Sequence, residues 1–167
     1  MSTVKVTWQH GMTFTGTAPS GFSLPLGTNP DSGGDNDGFR PMELLAVGLA
    51  GCTAMDVISI LEKKRETITA FDVQVYTTRA NEHPHVFTSA DIEYSVTGRT
   101  VNEKAVLRAI ELSATRYCSA MGMFKQLMPI TLKYQIFEES GAGNTVGNGG
   151  DNLVKSGEYH LPQIVAE

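Results

Sequence analysis

The sequence predicts an α+β fold in which helices are segregated from a mainly antiparallel sheet. Three observations predict it. The first residues alternate apolar and polar side chains, a long apolar run without breakers begins at Pro41, and two further alternating segments flank a second run of helical spacing.

The N-terminal segment reads as a meander. VKVTWQ (4–9) alternates, HG (10–11) turns, MTFTGT (12–17) alternates again, and PSG (19–21) turns into FSLPLG. The stretch TNPDSGGDNDGF (28–39), rich in Gly, Asn and Asp, is expected to be a surface loop, and a loop of this length in a compact domain is often functional.

Pro41 suits the first position of a helix, and Glu43 sets a carboxylate where the helix dipole favours one, so the first helix is expected over about 41–64. Leu44, Leu45, Val47, Leu49, Met55, Val57, Ile58, Ile60 and Leu61 occupy nearly every angular sector. Such a helix has no wide solvated face before its basic end EKKRE (62–66) and belongs in the centre of a structure. Its length is that of a membrane span, but Glu43, Asp56 and interspersed glycine and serine favour a buried helix over insertion.

FDVQVYTTR (71–79) and VFTSADIEYSVTG (86–98) alternate on either side of NEHPH (81–85), which predicts a long hairpin. From Asn102 a second helix is expected, with Val106, Ile110, Leu112 and Ala114 giving its spacing up to Cys118, a break at Gly122 and an end at Pro129. ITLKYQIFEE (130–139) is a final strand. The chain is therefore expected to form one domain over 1–139, followed by a glycine-rich, flexible tail over 140–167, whose last residues dock as an added strand or stay loose. A central apolar helix with modest sheet to cover it also invites a second copy of the chain.

Composition narrows the partners. With 41% hydrophobic and 19% charged residues the chain is an ordinary globular protein, and a net charge of -5 without a Lys/Arg cluster argues against nucleic acid or an anionic membrane surface. The N-terminus has neither a basic start nor an apolar h-region, so a cytoplasmic location is expected. A small ligand is the expected partner.

Cys52 and Cys118 lie 118 - 52 = 66 residues apart, a spacing that fits no zinc or Cys-x-x-Cys motif, and a reducing cytosol disfavours a permanent structural disulfide. They are either two inert core thiols or a working redox pair. Gly48, Ala50 and Gly51 leave little bulk on the turn before Cys52, so a ligand or another backbone has room to approach.

A reactive thiol must be a thiolate, which needs a positive neighbour. Cys52 sits too deep in its helix for the N-terminal dipole, and Asp56 at i+4 raises the thiol pKa if ionised. An arginine must then supply the charge. Arg40, at the end of the glycine-rich loop, is the first candidate and Arg116 the second; Asp56 is suited to hold an arginine bidentately. Glu43 is suited to orient Arg40, but nine residues at about 100° each put it half a turn from Cys52 on a straight helix.

His83 and His85 form an H-x-H pair without an evident third ligand, and no metal site is expected there. Met121, Met123 and Met128 read as core filling or as the lining of an apolar substrate pocket. No phosphate-binding loop, dinucleotide pattern, G-x-S-x-G or kinase set is present, and no cofactor is expected.

RPMELLAVGLAGCTAMDVISIL, the hairpin after it, and LSATRYCSAMG before a last strand resemble the OsmC/Ohr family, within it the YhfA-type OsmC-like branch. The resemblance covers roughly residues 3–137. It implies an intertwined α+β homodimer with both cysteines near the interface, and thiol-based reduction of organic hydroperoxides. Carried over, Cys52 is the peroxidatic thiol and Cys118 the resolving thiol that closes a disulfide, which an external dithiol resets. The family's pKa-lowering arginine has no counterpart in the N-terminal strands, which leaves Arg40 as the positional candidate. The family's Asn-Pro-Glu helix start is altered too, since Met42 follows the proline and Glu43 comes one residue later. Against this stand two other readings: a redox-responsive or small-ligand-binding dimer without efficient turnover, and a structural protein with two inert cysteines.

Overall fold

A computed structural model describes residues 3–139 and 152–161. The element types follow the α+β expectation. The chain divides into two compact units, one up to Val47 and one from Gly48 onward. Among the described residues each unit has its own hydrogen-bonded sheet.

In the first unit β1 (Lys5–His10), β2 (Thr13–Thr17) and β3 (Ser23–Leu26) form an antiparallel meander in the order β1-β2-β3. The loop that follows is ordered by short-range polar contacts. Asn29 caps a short 3-10 turn over Pro30–Ser32, and Thr13 donates to Asp37 at 2.6 Å. Gly38 lies so close to β3 that a Cβ there would meet Leu26 N at 2.7 Å. Helix α1 (Pro41–Lys63) starts in this unit and supplies the second with its longer part.

The second unit holds a four-stranded sheet in the order β4-β5-β6-β7, made of β4 (Thr67–Arg79), β5 (Phe87–Arg99), β6 (Ile130–Glu138) and β7 (Leu153–Tyr159). β4 and β5 are the expected hairpin, extended at its open end. β5 and β6 run parallel, because helices α2 (Glu103–Leu112) and α3 (Ser119–Phe124) form the crossover between them. Alternation fixes the buried face: Ile92, Tyr94 and Val96 of β5 sit opposite Leu132, Tyr134 and Ile136 of β6 in register. These six share one core with Leu49, Val57 and Leu61 of α1 and with Val106, Ala109 and Ile110 of α2.

Three sequence expectations change. First, the break in the second helix falls at Cys118 and not at Gly122, because Ser113–Tyr117 widens into a π-type turn and Cys118 then caps α3. Second, α1 does not bury on all sides. Leu49, Thr53, Val57 and Leu61, each four residues on, form the buried stripe, while Leu45, Val47 and Met55 stay exposed; of its most apolar 18 residues only 22% are buried.

Third, the tail expected to be flexible contains a strand. β7 pairs antiparallel with β6 and is fastened by Lys155, whose Nζ donates to Glu103 at 2.7 Å, while Tyr134 donates to the other oxygen of that carboxylate at 2.9 Å. The segment 140–151, where the linker is expected, lies outside the described residues.

Where β5 ends, Gly98 faces Ile68 and packs against the Thr67 carbonyl, so an added Cβ would stand 2.1 Å from that oxygen. Gly98→Ala is therefore expected to cost about 1–3 kcal/mol of stability by forcing the strands apart, read as a lowered midpoint in urea unfolding with an unchanged slope.

Candidate active site

The second unit brings together what the sequence separates by 66 positions. Sγ of Cys52, a carboxylate oxygen of Asp56 and Sγ of Cys118 all lie within 4.8 Å of one another, and both cysteines are free thiols. Cys52 and Asp56 share a face of α1 because they are one turn apart. Cys118 reaches them from the far end of the crossover. The π-type turn closes with the Cys118 N–H donating to the Ser113 carbonyl at 2.9 Å, and Cys118 then leaves helical geometry with φ -71° and ψ 107°.

The two thiols differ in setting. Cys52 is half-buried and Cys118 is buried. Burial above all pushes the Cys118 thiol up to about 12; its hydrogen bond with Cys52 and the charges of Cys52 and Asp56 add to the shift, and only the Met121 N–H, 3.3 Å from Sγ, opposes it. None of these influences is a cation.

A chain of hydroxyls fastens the site to the core. Asp56 accepts from Ser113 Oγ at 3.1 Å, Ser113 Oγ lies 2.9 Å from Thr53 Oγ1, and Thr53 Oγ1 lies 2.7 Å from Tyr94 Oη. Each hydroxyl has one proton, so once Ser113 gives its own to Asp56 the order is fixed: Tyr94 donates to Thr53, and Thr53 to Ser113. Burial holds the Tyr94 phenol protonated by raising its pKa above the usual range. No buried side-chain nitrogen or oxygen among the described residues lacks a partner.

The other candidates lie elsewhere. Arg40 and Glu43 pair with each other at the start of α1: Nη1 donates to Oε1 at 2.7 Å and the Arg40 backbone N–H to Oε2 at 3.0 Å. Both belong to the first unit, and the thiols to the second. Arg116 is exposed, its guanidinium carbon 5.7 Å from the centre of the Tyr117 ring. Asp56, expected to hold an arginine, accepts from a serine instead, and among the described residues no ion pair reaches it. His83 and His85 face each other with ring centres 4.2 Å apart, and the His85 Nδ1–H donates to the Ala80 carbonyl.

Thr53, Ser113 and Tyr94 escape the sequence reading. Thr53 and Ser113 do leave a trace: they are polar side chains on helix faces otherwise filled by Leu49, Val57 and Leu61, and by Val106, Ala109 and Ile110.

The family model described as OsmC-like protein matches residues 34–133, a span that contains Arg40, Glu43, both cysteines and Asp56. The chain belongs to the OsmC-like family. Protein YhfA of Escherichia coli K12 is 35% identical over 132 residues, which is 79% of this chain and 96% of that protein. A hypothetical protein from Aquifex aeolicus has a solved structure that superposes with a TM-score of 0.73 at 27% identity, covering 84% of this chain and 98% of that one. A Legionella pneumophila structure described as an organic hydroperoxide resistance protein OsmC shares the fold with a TM-score of 0.61 at 14% identity, over 81% and 96% of the two chains.

Two outcomes check this geometry. Thr53→Val removes the middle of the hydroxyl chain, strands the buried Tyr94 hydroxyl and takes from Ser113 its donor, so it should cost about 1–3 kcal/mol, whereas Tyr94→Phe removes only the terminal donor and should cost less; urea unfolding of both variants ranks them. With its pKa pushed up to about 12 by burial, Cys118 carries far less thiolate at neutral pH than an ordinary thiol does. Iodoacetamide should thus label Cys52 long before Cys118 in native protein, and denaturant should abolish the difference in a peptide mass map.

Proposed function

We propose that this protein is a cysteine-based peroxidase that reduces organic hydroperoxides. The observation that carries the reading is the approach of the two sulfurs within 4.8 Å, one half-buried and one enclosed. Family membership supports it, as does the name of the Legionella protein of the same fold.

The residues divide the work by accessibility. The Cys52 thiolate attacks the terminal peroxide oxygen, the O–O bond breaks, and the alcohol leaves with a proton, so that Cys52 becomes a sulfenic acid. Cys118 then attacks the Cys52 sulfur, and water departs as the disulfide forms. An external dithiol takes the disulfide back to two thiols and is itself oxidised. The raised pKa of Cys118 suits it to wait as a protonated thiol until Cys52 has reacted. In this reading Arg40, oriented by Glu43, supplies the positive charge for Cys52 from a second copy of the chain or through the loop.

A homodimer also accounts for the apolar surface. Leu45, Val47 and Met55 of α1, and Val4, Val6 and Trp8 around β1, are exposed in one chain and give a second copy something to bury. The dimer acts in the cytoplasm, without nucleic acid or membrane as partner. Light scattering after size exclusion should return twice the 18.0 kDa chain mass, and Met55→Glu should shift it toward one chain.

Stoichiometric cumene hydroperoxide should remove about 2 Da from the reduced protein, the two hydrogens of a new disulfide. Cys52→Ser should abolish the change, Cys118→Ser should stop at sulfenic acid, and Arg40→Gln should slow the first step. A second reading draws on the carboxylate beside the thiols and the absence of any cation among the influences on Cys118: a redox-responsive or small-ligand-binding dimer that oxidises without rapid turnover. Disulfide formation without catalytic peroxide consumption on adding a dithiol would select it, and no mass change at all would overturn both.

A further inference from the structure

The three groups that meet in the second unit are also a ligand set. Two sulfurs and a carboxylate oxygen, mutually within 4.8 Å, approach the face of a tetrahedron around an ion with metal–sulfur bonds of about 2.3 Å, which needs sulfurs about 3.8 Å apart. Cys52 and Asp56 come from one turn of α1, and Cys118 is the extended N-cap residue between the π-type turn and α3, so each ligand is held in or directly against a helix.

Two further observations point to a cation. Asp56 is a partly buried carboxylate whose partner is a neutral hydroxyl, with no ion pair reaching it among the described residues, so the site is short of positive charge. The hydroxyl chain from Tyr94 through Thr53 and Ser113 ends on Oδ2 of that carboxylate and orients it, as outer hydrogen bonds do around metal ligands. Half-burial of Cys52 leaves one side open, where water completes four-coordination.

We propose that Cys52, Cys118 and Asp56 of the reduced protein bind one thiophilic divalent ion of the zinc type. Both sulfurs must deprotonate to ligate, so binding releases the two thiol protons to solvent and tightens as pH rises. The ion and a Cys52–Cys118 disulfide are mutually exclusive, because each uses the same sulfur electron pairs. The inference rests on the thiol geometry that also carries the peroxidase reading, but not on turnover.

Cobalt(II) is the probe, since sulfur-to-cobalt charge transfer and the visible bands of tetrahedral cobalt report thiolate ligation directly. Titrated anaerobically into reduced, metal-free full-length protein, it should give both bands, saturate at one ion per chain, and be displaced by zinc(II). Cys52→Ser and Cys118→Ser should each weaken or remove the charge-transfer band. Asp56→Asn should weaken binding about tenfold or more, and Ser113→Ala, which frees the carboxylate, by about tenfold. Far-UV circular dichroism checks that each variant folds, and prior oxidation of wild type with diamide, which should abolish binding, tests the same ligands without mutation.

No charge-transfer band up to millimolar cobalt, or binding that survives in the double serine variant and so belongs to His83 and His85 or to surface carboxylates, would overturn the site. Peroxide-driven disulfide formation is read separately by mass. A protein that forms the disulfide and ignores cobalt refutes the ion alone, and one that binds cobalt and ignores peroxide refutes the peroxidase alone.

Discussion

The second unit depends on one constraint: α1 must present Cys52, Thr53, Asp56 and Val57 toward the core at once. Thr53 and Val57 lie on the fully buried stripe, with Thr53 hydrogen-bonded at the centre of three elements: α1 through its own backbone, β5 through Tyr94, and the end of α2 through Ser113. Rotating α1 by one residue would break both hydroxyl contacts and withdraw Val57 from the core. The same rotation would carry Cys52 and Asp56 away from Cys118. Core packing and site geometry are therefore one requirement, and a buried polar chain with every member satisfied is well suited to impose it.

The π-type turn follows from that requirement. An α-helix continued from Glu103 through Cys118 would put Cys118, five residues on, about 140° around the axis from Ser113. The extra residue in the turn over Ser113–Tyr117 changes that angle just after Ser113 has been placed against Thr53 and Asp56. Ser113 is thus the hinge of the arrangement: it locks the end of α2 to α1, and the chain then widens and turns to bring the second sulfur in.

Much of this was legible in the sequence, and what was not has physical causes. Alternation marked β5 and β6 because one face of each is buried, and Pro41 and the missing breakers marked α1 to within one residue of its end. The two cysteines stood out by type, and their family context said they meet. The widened turn was invisible, since a π-type turn depends on tertiary hydrogen bonds and SATRY carries no breaker to announce it. β7 was hidden for a related reason: LVKSGEY has weak alternation, and it is fixed by Lys155 on Glu103 and by the free edge of β6, neither of which its own residues reveal. The meeting of Cys52, Asp56 and Cys118 cannot be read from spacing at all, because motif spacing describes residues on one local element, whereas here a turn of α1 and the cap residue before α3, far apart in sequence, come together.

The electrostatics of the site connect its two proposed activities. Peroxide attack and metal ligation both require sulfur to become negative, and at Cys118 burial, the Cys52 thiol and Asp56 all oppose this in the reduced state. A site built this way holds the Cys118 thiol protonated until positive charge arrives. A guanidinium brought by Arg40 and an ion seated between the sulfurs are two answers to that single deficit, and they differ in what they leave free. Arg40 would stabilise the Cys52 thiolate while leaving the sulfur electron pair open to oxygen. A bound ion occupies that pair and shields the thiols from oxidation. Which cation is present would then decide whether the reduced protein is reactive or protected, and Asp56, which hinders the first answer and serves the second, is the residue whose removal should shift the balance between them.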